Sequence, residues 1–497
     1  MPLLALTLLA CAPKPQAPVP KTVQLPIGMN LAGIADWERG FPFRNLMWGS
    51  RKWLTRNATG ESPWDTGKAD QMPVDKDGYP IQAPFVPTGG GVPQVPFTIL
   101  PSVRPTGRYL VRWKGDGQID VGLAAKLVRQ SPGQATIDIT INKPGEDVVT
   151  LSLVRSNKAN PIRDLTVVSE KEATVDLAKD PFLPEFLSFV KPFPVLRFMD
   201  WSGTNNSIQR HIADRKRPTA YTMIATGGDF DGTYGPKPSP LDFQLSGGVA
   251  WEVIANLCNR NRSDAWLCVA HRADDEYIRE MARFFKTHLN PGRKVYLEFS
   301  NEIWNWQFAQ AQWMLRDKAA SDGAAAWGYQ TWEKEDPKKP TGHPERIGWL
   351  FRRCFGIWEK EFTGADRKRL VRVITTQHSW LDVAERTTGV VMKHGGADAI
   401  SPGGYFGPDG VAYKAWDAAG PSLTADRVMD DMFRVLEANT KPWTEDIGRL
   451  AKQHKLRFLV YEGGQHIQPE GQQEKSYNPA LGAAQFSPRM EQAYLRN

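Results

Sequence analysis

From Pro181 onward the chain repeats one unit: a short, almost wholly apolar segment, a polar loop, then a segment with helical periodicity. The apolar segments are 195–199 (VLRFM), 265–270 (AWLCVA), 294–299 (KVYLEF), 370–375 (LVRVIT), 397–400 (ADAI) and 457–461 (RFLVY). Strands that are apolar on both faces need cover on both faces, and helices between them supply it, which is the pattern of a parallel sheet. Between two of them, residues 275–288 set Tyr277, Ile278, Met281, Phe284 and Phe285 on one helical face, and 346–362 and 425–439 behave alike. Upstream, 27–34 (IGMNLAGI) reads as another strand of this sheet. Polar residues gather just past the C-terminal end of each strand, where α/β folds place their sites.

Residues 91–178 follow a different rule. TIDITIN at 136–142 alternates strictly, and Tyr109, Val111 and Trp113 share one face of a strand, as do Val149, Leu151 and Leu153 of another. Turn residues separate these strands and no helical period intervenes, so an inserted all-β sandwich is expected. The domain reading is therefore 1–20 as leader and tether, 21–90 as first strand and extended loop, 91–178 as the sandwich, and 179–497 as the remaining α/β part. The sandwich is open to two uses, spacer or sugar-binding module.

The leader is the run MPLLALTLLA before Cys11, followed by a Pro-rich tether. It is too short to span a bilayer and looks like a bacterial lipoprotein signal with Cys11 as the lipidated residue. Export follows as an expectation, with the membrane touched only through that lipid. Cys258, Cys268 and Cys354 sit in apolar settings and read as buried thiols; a 258–268 pairing is left open by spacing alone. The 62 Lys and Arg outnumber 55 Asp and Glu by a surplus spread along the chain. That distribution argues against nucleic acid as a partner. No HExxH, Walker loop, GxGxxG after a strand or complete GxSxG elbow occurs, so neither a metal nor another cofactor is expected. A monomer is expected.

The chemistry concentrates in Tyr296-Leu297-Glu298-Phe299-Ser300-Asn301-Glu302-Ile303-Trp304-Asn305-Trp306 and in Leu459-Val460-Tyr461-Glu462-Gly463-Gly464. Each carries a glutamate to the C-terminal end of a strand, with several βα units between them. Two carboxylates facing each other across one mouth are what double displacement at an acetal carbon needs: one gives a proton to the leaving oxygen, the other attacks. Glu298, four residues before Glu302 and inside the strand, reads as an interior structural group.

These segments resemble the clan A glycoside hydrolases, retaining enzymes on a (β/α)8 barrel, and among them secreted bacterial proteins with a YxEYSNEVWN segment. The resemblance covers about 25–50 and 180–497. It implies Glu302 as acid/base, at the end of the fourth strand beside Asn301, and Glu462 as nucleophile, at the end of the seventh. It implies that Arg197 hydrogen-bonds the nucleophile and Asn301 a sugar hydroxyl. His271, His378 and Tyr405 then fall at strand ends as substrate hydrogen-bonders, and Asp200, Trp201, Trp304, Trp306 and Trp380 as cleft lining. The expected fold is α/β, a (β/α)8 TIM-type barrel with the sandwich inserted. The stretch after Glu462 is short and ends in a helical segment at 487–497, so the barrel is expected to lack its last strand or to draw it from 21–25. The expected function is retaining hydrolysis of β-linked glycosidic bonds in an extracellular poly- or oligosaccharide. The alternative is a surface lipoprotein or adhesin that binds carbohydrate without turnover.

Overall fold

The computed structural model describes residues 27–225, 246–329 and 342–497; the leader, Cys11 and segment 21–25 lie outside them. Strand β1 (Met29–Asn30) is followed by the all-β insertion, made of β2 (Leu54–Asn57), β3 (Gln94–Leu100), β4 (Gly107–Lys114), β5 (Gly117–Leu123), β6 (Ala125–Ser131), β7 (Gln134–Ile139), β8 (Val149–Ser156) and β9 (Arg163–Ser169). These form two antiparallel four-stranded sheets, β2-β3-β8-β5 and β6-β7-β4-β9. The alternating residues Tyr109, Val111 and Trp113 are buried with Ile137, Leu151 and Leu153. The module begins before residue 91, because Leu54–Asn57 pairs with 94–97.

The sandwich is anchored to the parallel sheet by packing and charge. Phe43 sits among Trp48, Phe182 and Trp201, and one apolar cluster runs from the sandwich into the sheet. Beside it the largely buried Arg44 pairs with Glu172 and, at 3.1 Å, with Asp180.

The chain then supplies β10 (Val195–Arg197), β11 (Asp264–Val269), β12 (Val295–Phe299), β13 (Leu370–Thr376), β14 (Ala399–Pro402), β15 (Gly404–Phe406), β16 (Arg457–Phe458) and β17 (Gly463–Gln465). Every apolar segment singled out above contributes a strand to one curled parallel sheet of order β1-β10-β11-β12-β13-β14-β16. Alternation sorts the side chains. On the inner face Trp266 and Cys268 meet Glu298, which in turn meets Arg197, whereas Phe299 turns outward onto Phe351 of the helix His343–Glu361. The outward Arg372 is neutralised by Asp398 at 2.9 Å and by Glu359, which lets a charged residue stand in an otherwise apolar strand.

The eight-stranded barrel, whole or short of one strand, is not what forms. Among the described residues the sheet has seven strands and is open: β1 pairs only with β10, β16 only with β14, and the two edges do not meet. Helices do not alternate one for one with strands either, since three described helices lie between β12 and β13. The physical reason lies after β16. Gly463–Gln465 leaves the sheet and pairs in parallel with Gly404–Phe406. A Cβ on Gly463 would stand 2.6 Å from the Gly404 carbonyl oxygen, so only glycine permits this approach. Helices Asn478–Gln485 and Pro488–Arg496 then join Gly410–Ala419 and Ala425–Val435 around a second apolar cluster that includes Phe406, Trp416, Met429 and Tyr477.

Cys258, Cys268 and Cys354 are buried free thiols, so no 258–268 disulfide forms. Among the described residues no helix is long and apolar enough to cross a membrane.

Candidate active site

The strand ends converge on Arg197. This side chain is 3% exposed and spends all five guanidinium N–H groups. Nε and Nη2 reach the two oxygens of Glu298 at 3.0 Å each; Nη1 reaches Glu462 Oε2 at 2.8 Å and Asn30 Oδ1 at 3.4 Å; Nη2 also reaches Asn301 Oδ1 at 2.8 Å. Burial works against its charge, but Glu298 and then Glu462 outweigh burial and hold it firmly protonated. The face of Tyr461 lies 5.0 Å from the guanidinium carbon and closes the site on that side.

Glu462 accepts from three directions. Arg197 and the Asn30 amide (3.2 Å) meet Oε2, and the Tyr405 hydroxyl meets Oε1 at 3.0 Å. Its side chain is 12% exposed, so it opens onto solvent rather than into a sealed core. Burial pushes its pKa up, with the charges of Glu302 and Glu298 adding to the rise; Arg197 and Tyr405 pull it back. The two glutamates are linked through Tyr461, which precedes Glu462 in the chain and donates its hydroxyl to Glu302.

Glu302 is placed by an uncommon backbone. Ser300 and Glu302 both take left-handed φ values, +61° and +41°, on either side of Asn301. Each such residue costs about 1–3 kcal/mol and persists only where its surroundings hold it. Here the fully buried Gln310 donates to the Asn301 carbonyl at 2.8 Å and to Asn205 Oδ1 at 2.7 Å, and Asn205 in turn accepts from the Asn301 amide at 3.0 Å. The Glu302 carboxylate accepts from Tyr461 Oη at 2.7 Å and from Asn305 Nδ2 at 2.8 Å. Burial and the neighbouring glutamates raise the phenol pKa values of Tyr461 and Tyr405, so both act as neutral donors.

The other residues singled out from the sequence divide. Asn301 is nearly fully buried with both ends of its amide engaged, which leaves one N–H for a ligand. Asp200 is half-buried, and burial raises its carboxyl despite Arg197. His271 is buried against Trp313, and burial holds its imidazole down to about 3, hence neutral. His378 is bonded to Thr444 at 2.8 Å and packs on Trp443, turned toward the helix Lys441–Gln453.

Two tryptophans expected to line the cleft do not. Trp201 and Trp304 are 1% and 2% exposed; the first bonds the Ala32 carbonyl and packs on Phe186, the second packs on Tyr461. Their rings fill the core behind the mouth instead, Trp201 among Phe43, Phe186 and Phe198 and Trp304 against Tyr461. Trp306 is 38% exposed and forms an aromatic group with Trp380 and His343. Burial holds His343 down to about 4, so this group is uncharged near neutrality. Asn30 also borders a mainly apolar cavity of about 200 Å³ lined by Leu31, Phe41, Phe186 and Trp201, which neither glutamate reaches.

Sequence reasoning missed Asn30, Tyr461, Asn305 and His343. Tyr461 had a usable signal, since it directly precedes Glu462; the others become visible only once the strand, loop and helix that carry them are assembled. Neither protein-family profiles nor curated protein sequences match the chain.

Proposed function

We propose that the chain is a retaining glycoside hydrolase acting on β-linked bonds of an extracellular poly- or oligosaccharide, with Glu302 as acid/base and Glu462 as nucleophile. The observation that carries this reading is the convergence of both glutamates, from strands distant in sequence, on one cluster held by Arg197, Tyr405 and Tyr461. In the first step an oxygen of Glu462 bonds the anomeric carbon as the glycosidic C–O bond breaks, and Glu302 gives its proton to the departing oxygen. In the second, water delivers a proton to Glu302 and attacks the same carbon, and Glu462 leaves as a carboxylate.

Arg197 and Tyr405 keep the attacking carboxylate oriented and stabilise it as it leaves. Tyr461 and Asn305 orient Glu302, and the Tyr461 hydroxyl can turn to accept when the carboxyl carries a proton. Asn301 has one amide N–H left with which to bond a sugar hydroxyl. Trp306 and Trp380 offer flat apolar faces on which a sugar ring can stack. The lipoprotein-like leader supports export with attachment at Cys11.

A mechanism-based 2-fluoroglycoside, with digestion of a polysaccharide panel, tests the assignment. Mass spectrometry should find the label on Glu462, and Glu302→Gln should trap it or slow its formation. Glycan binding with no label and no hydrolysis would sink the enzyme reading and favour a carbohydrate-binding surface protein.

A further inference from the structure

Glu298 is the least accessible charged group near the mouth, with no exposed surface, and the mechanism above gives it nothing to do. Its surroundings are nonetheless more complete than those of either proposed catalytic glutamate. Its two oxygens take the parallel fork of Arg197, and Oε2 also accepts from Trp266 Nε1 at 2.7 Å and from the Cys268 thiol at 3.3 Å. The Arg197 groups left over are those that reach Glu462, Asn301 and Asn30. A guanidinium is planar, so fixing Nε and Nη2 on Glu298 fixes the direction of Nη1. One cation is thereby shared between a buried carboxylate beneath it and the carboxylate at the mouth.

We propose that Glu298 is a positioning residue: by holding the Arg197 fork and offsetting its charge, it aims Nη1 at Glu462 and limits how strongly Arg197 stabilises that carboxylate's anionic form. Its catalytic meaning rests on Glu462 being the nucleophile. An attacking carboxylate next to an unopposed buried arginine would be ionised but weakly nucleophilic. One facing a half-neutralised arginine keeps both orientation and reactivity. The charged and titratable groups that bear on this balance are Arg197 from β10 with Asp200 after it, Cys268 from β11, Glu302 after β12, Tyr405 from β15, and Tyr461 with Glu462 after β16. Glu302 and Glu298 both raise Glu462, and Arg197 lowers it.

The test removes the Glu298 charge and reads the titration of Glu462 directly. Unfolding free energies are measured in urea from about pH 3 to about pH 8 for the full chain, for Glu298→Gln and for Glu298→Met, each with and without Glu462→Gln. A carboxyl whose folded pKa is raised contributes stability that is full below its unfolded value and is lost as pH rises through the folded one. In the unaltered chain that loss follows the raised value of Glu462. In the Glu298 variants its onset, set by the unfolded value, should stay in place, but it should be complete about one pH unit lower and be correspondingly smaller, because Arg197 is then unopposed. Trp266→Phe removes a donor to Glu298 but no charge, and should leave the Glu462 titration where it was.

A titration that does not move in Glu298→Gln or Glu298→Met overturns the proposal, and so does an equal shift in Trp266→Phe. Glu298→Met carries no amide protons to oppose the guanidinium and serves where the glutamine variant does not fold. If neither folds, Glu298 belongs to the fold alone and the proposal fails. With an active substrate in hand, the acid limb of kcat/KM should move down in step. A chain without any hydrolysis counts against the glycosidase reading and leaves the titration result intact.

Discussion

Of the arginines that grip a carboxylate with two N–H groups, one stands at the mouth of the parallel sheet and another on the sandwich. Arg155 meets Asp116 at 3.0 and 2.6 Å with both side chains nearly half exposed. Arg197 meets Glu298 at 3.0 and 3.0 Å with almost no exposure. Both grips are two-pronged, through Nη1 and Nη2 in the first and through Nε and Nη2 in the second, and the surroundings differ far more. On the sandwich, water solvates either partner alone and the pair is a surface feature. At the mouth neither charge can be left without the other, so the pair becomes an organising centre to which Glu462, Asn301 and Asn30 are added. Burial, more than bond length, decides what a fork can do.

The broadest way to break that contrast is to remove the groups the mouth organises. Glu302→Gln and Glu462→Gln should each lower hydrolysis of a responsive glycan by about 100- to 10,000-fold or more, read from initial rates, with little change in fold. Undiminished hydrolysis in either would remove that residue from the mechanism.

Next in size is the fork itself. Arg197→Met strands Glu298 in the interior and should cost about 3–5 kcal/mol of unfolding free energy. Arg155→Ala should leave urea midpoints essentially unchanged, and equal losses in the two variants would erase the distinction drawn here.

Trp304 and Trp306, two residues apart, sharpen the comparison within the mouth. Trp304→Ala should cost about 3–5 kcal/mol as a core truncation. Trp306→Ala should spare stability and weaken binding of an oligosaccharide by about tenfold, read by calorimetry, in line with loss of one ring face. The reverse pattern would place the platform on Trp304.

Per pH unit, a smaller effect comes from acid. The His271 imidazole is held down to about 3 by burial, against an ordinary 6.5. Its neutral form therefore contributes stability above about pH 6.5 that is lost as pH falls toward 3. Replacing His271 by Phe should flatten the stability–pH curve across that window by up to about 1.4 kcal/mol per pH unit. An unchanged slope would mean that His271 is not the group titrating there.

Much of the sheet was legible because near-continuous apolar runs state both a strand and its burial on two faces. All seven segments of that kind contribute strands, in chain order, but the last keeps only the exposed pair Arg457–Phe458; Glu302 lies three residues past β12 and Glu462 four past β16. Closure was not legible. It depends on whether the first and last strands find each other, and no local pattern in 27–34 or 457–461 encodes that pairing; the Gly463-Gly464 step, which diverts the chain, reads in sequence only as a turn. Trp201 and Trp304 were misplaced for a related reason. A tryptophan beside a strand end carries no local mark of whether its ring turns to the core or to water. Glu298 was read as interior, which it is, but its grip on Arg197 needed the register of three strands.

The short ladder between Gly404–Phe406 and Gly463–Gln465 holds Tyr405 and Glu462 at neighbouring steps of one crosspiece, and that crosspiece is seated on the C-terminal helical lobe through Phe406 and Tyr494. Warming should therefore silence turnover when this lobe loosens, at a temperature below the main melting of the sheet. Calorimetry run beside residual-activity assays would show two separated events, and coincident ones would mean that lobe and sheet melt as a single body.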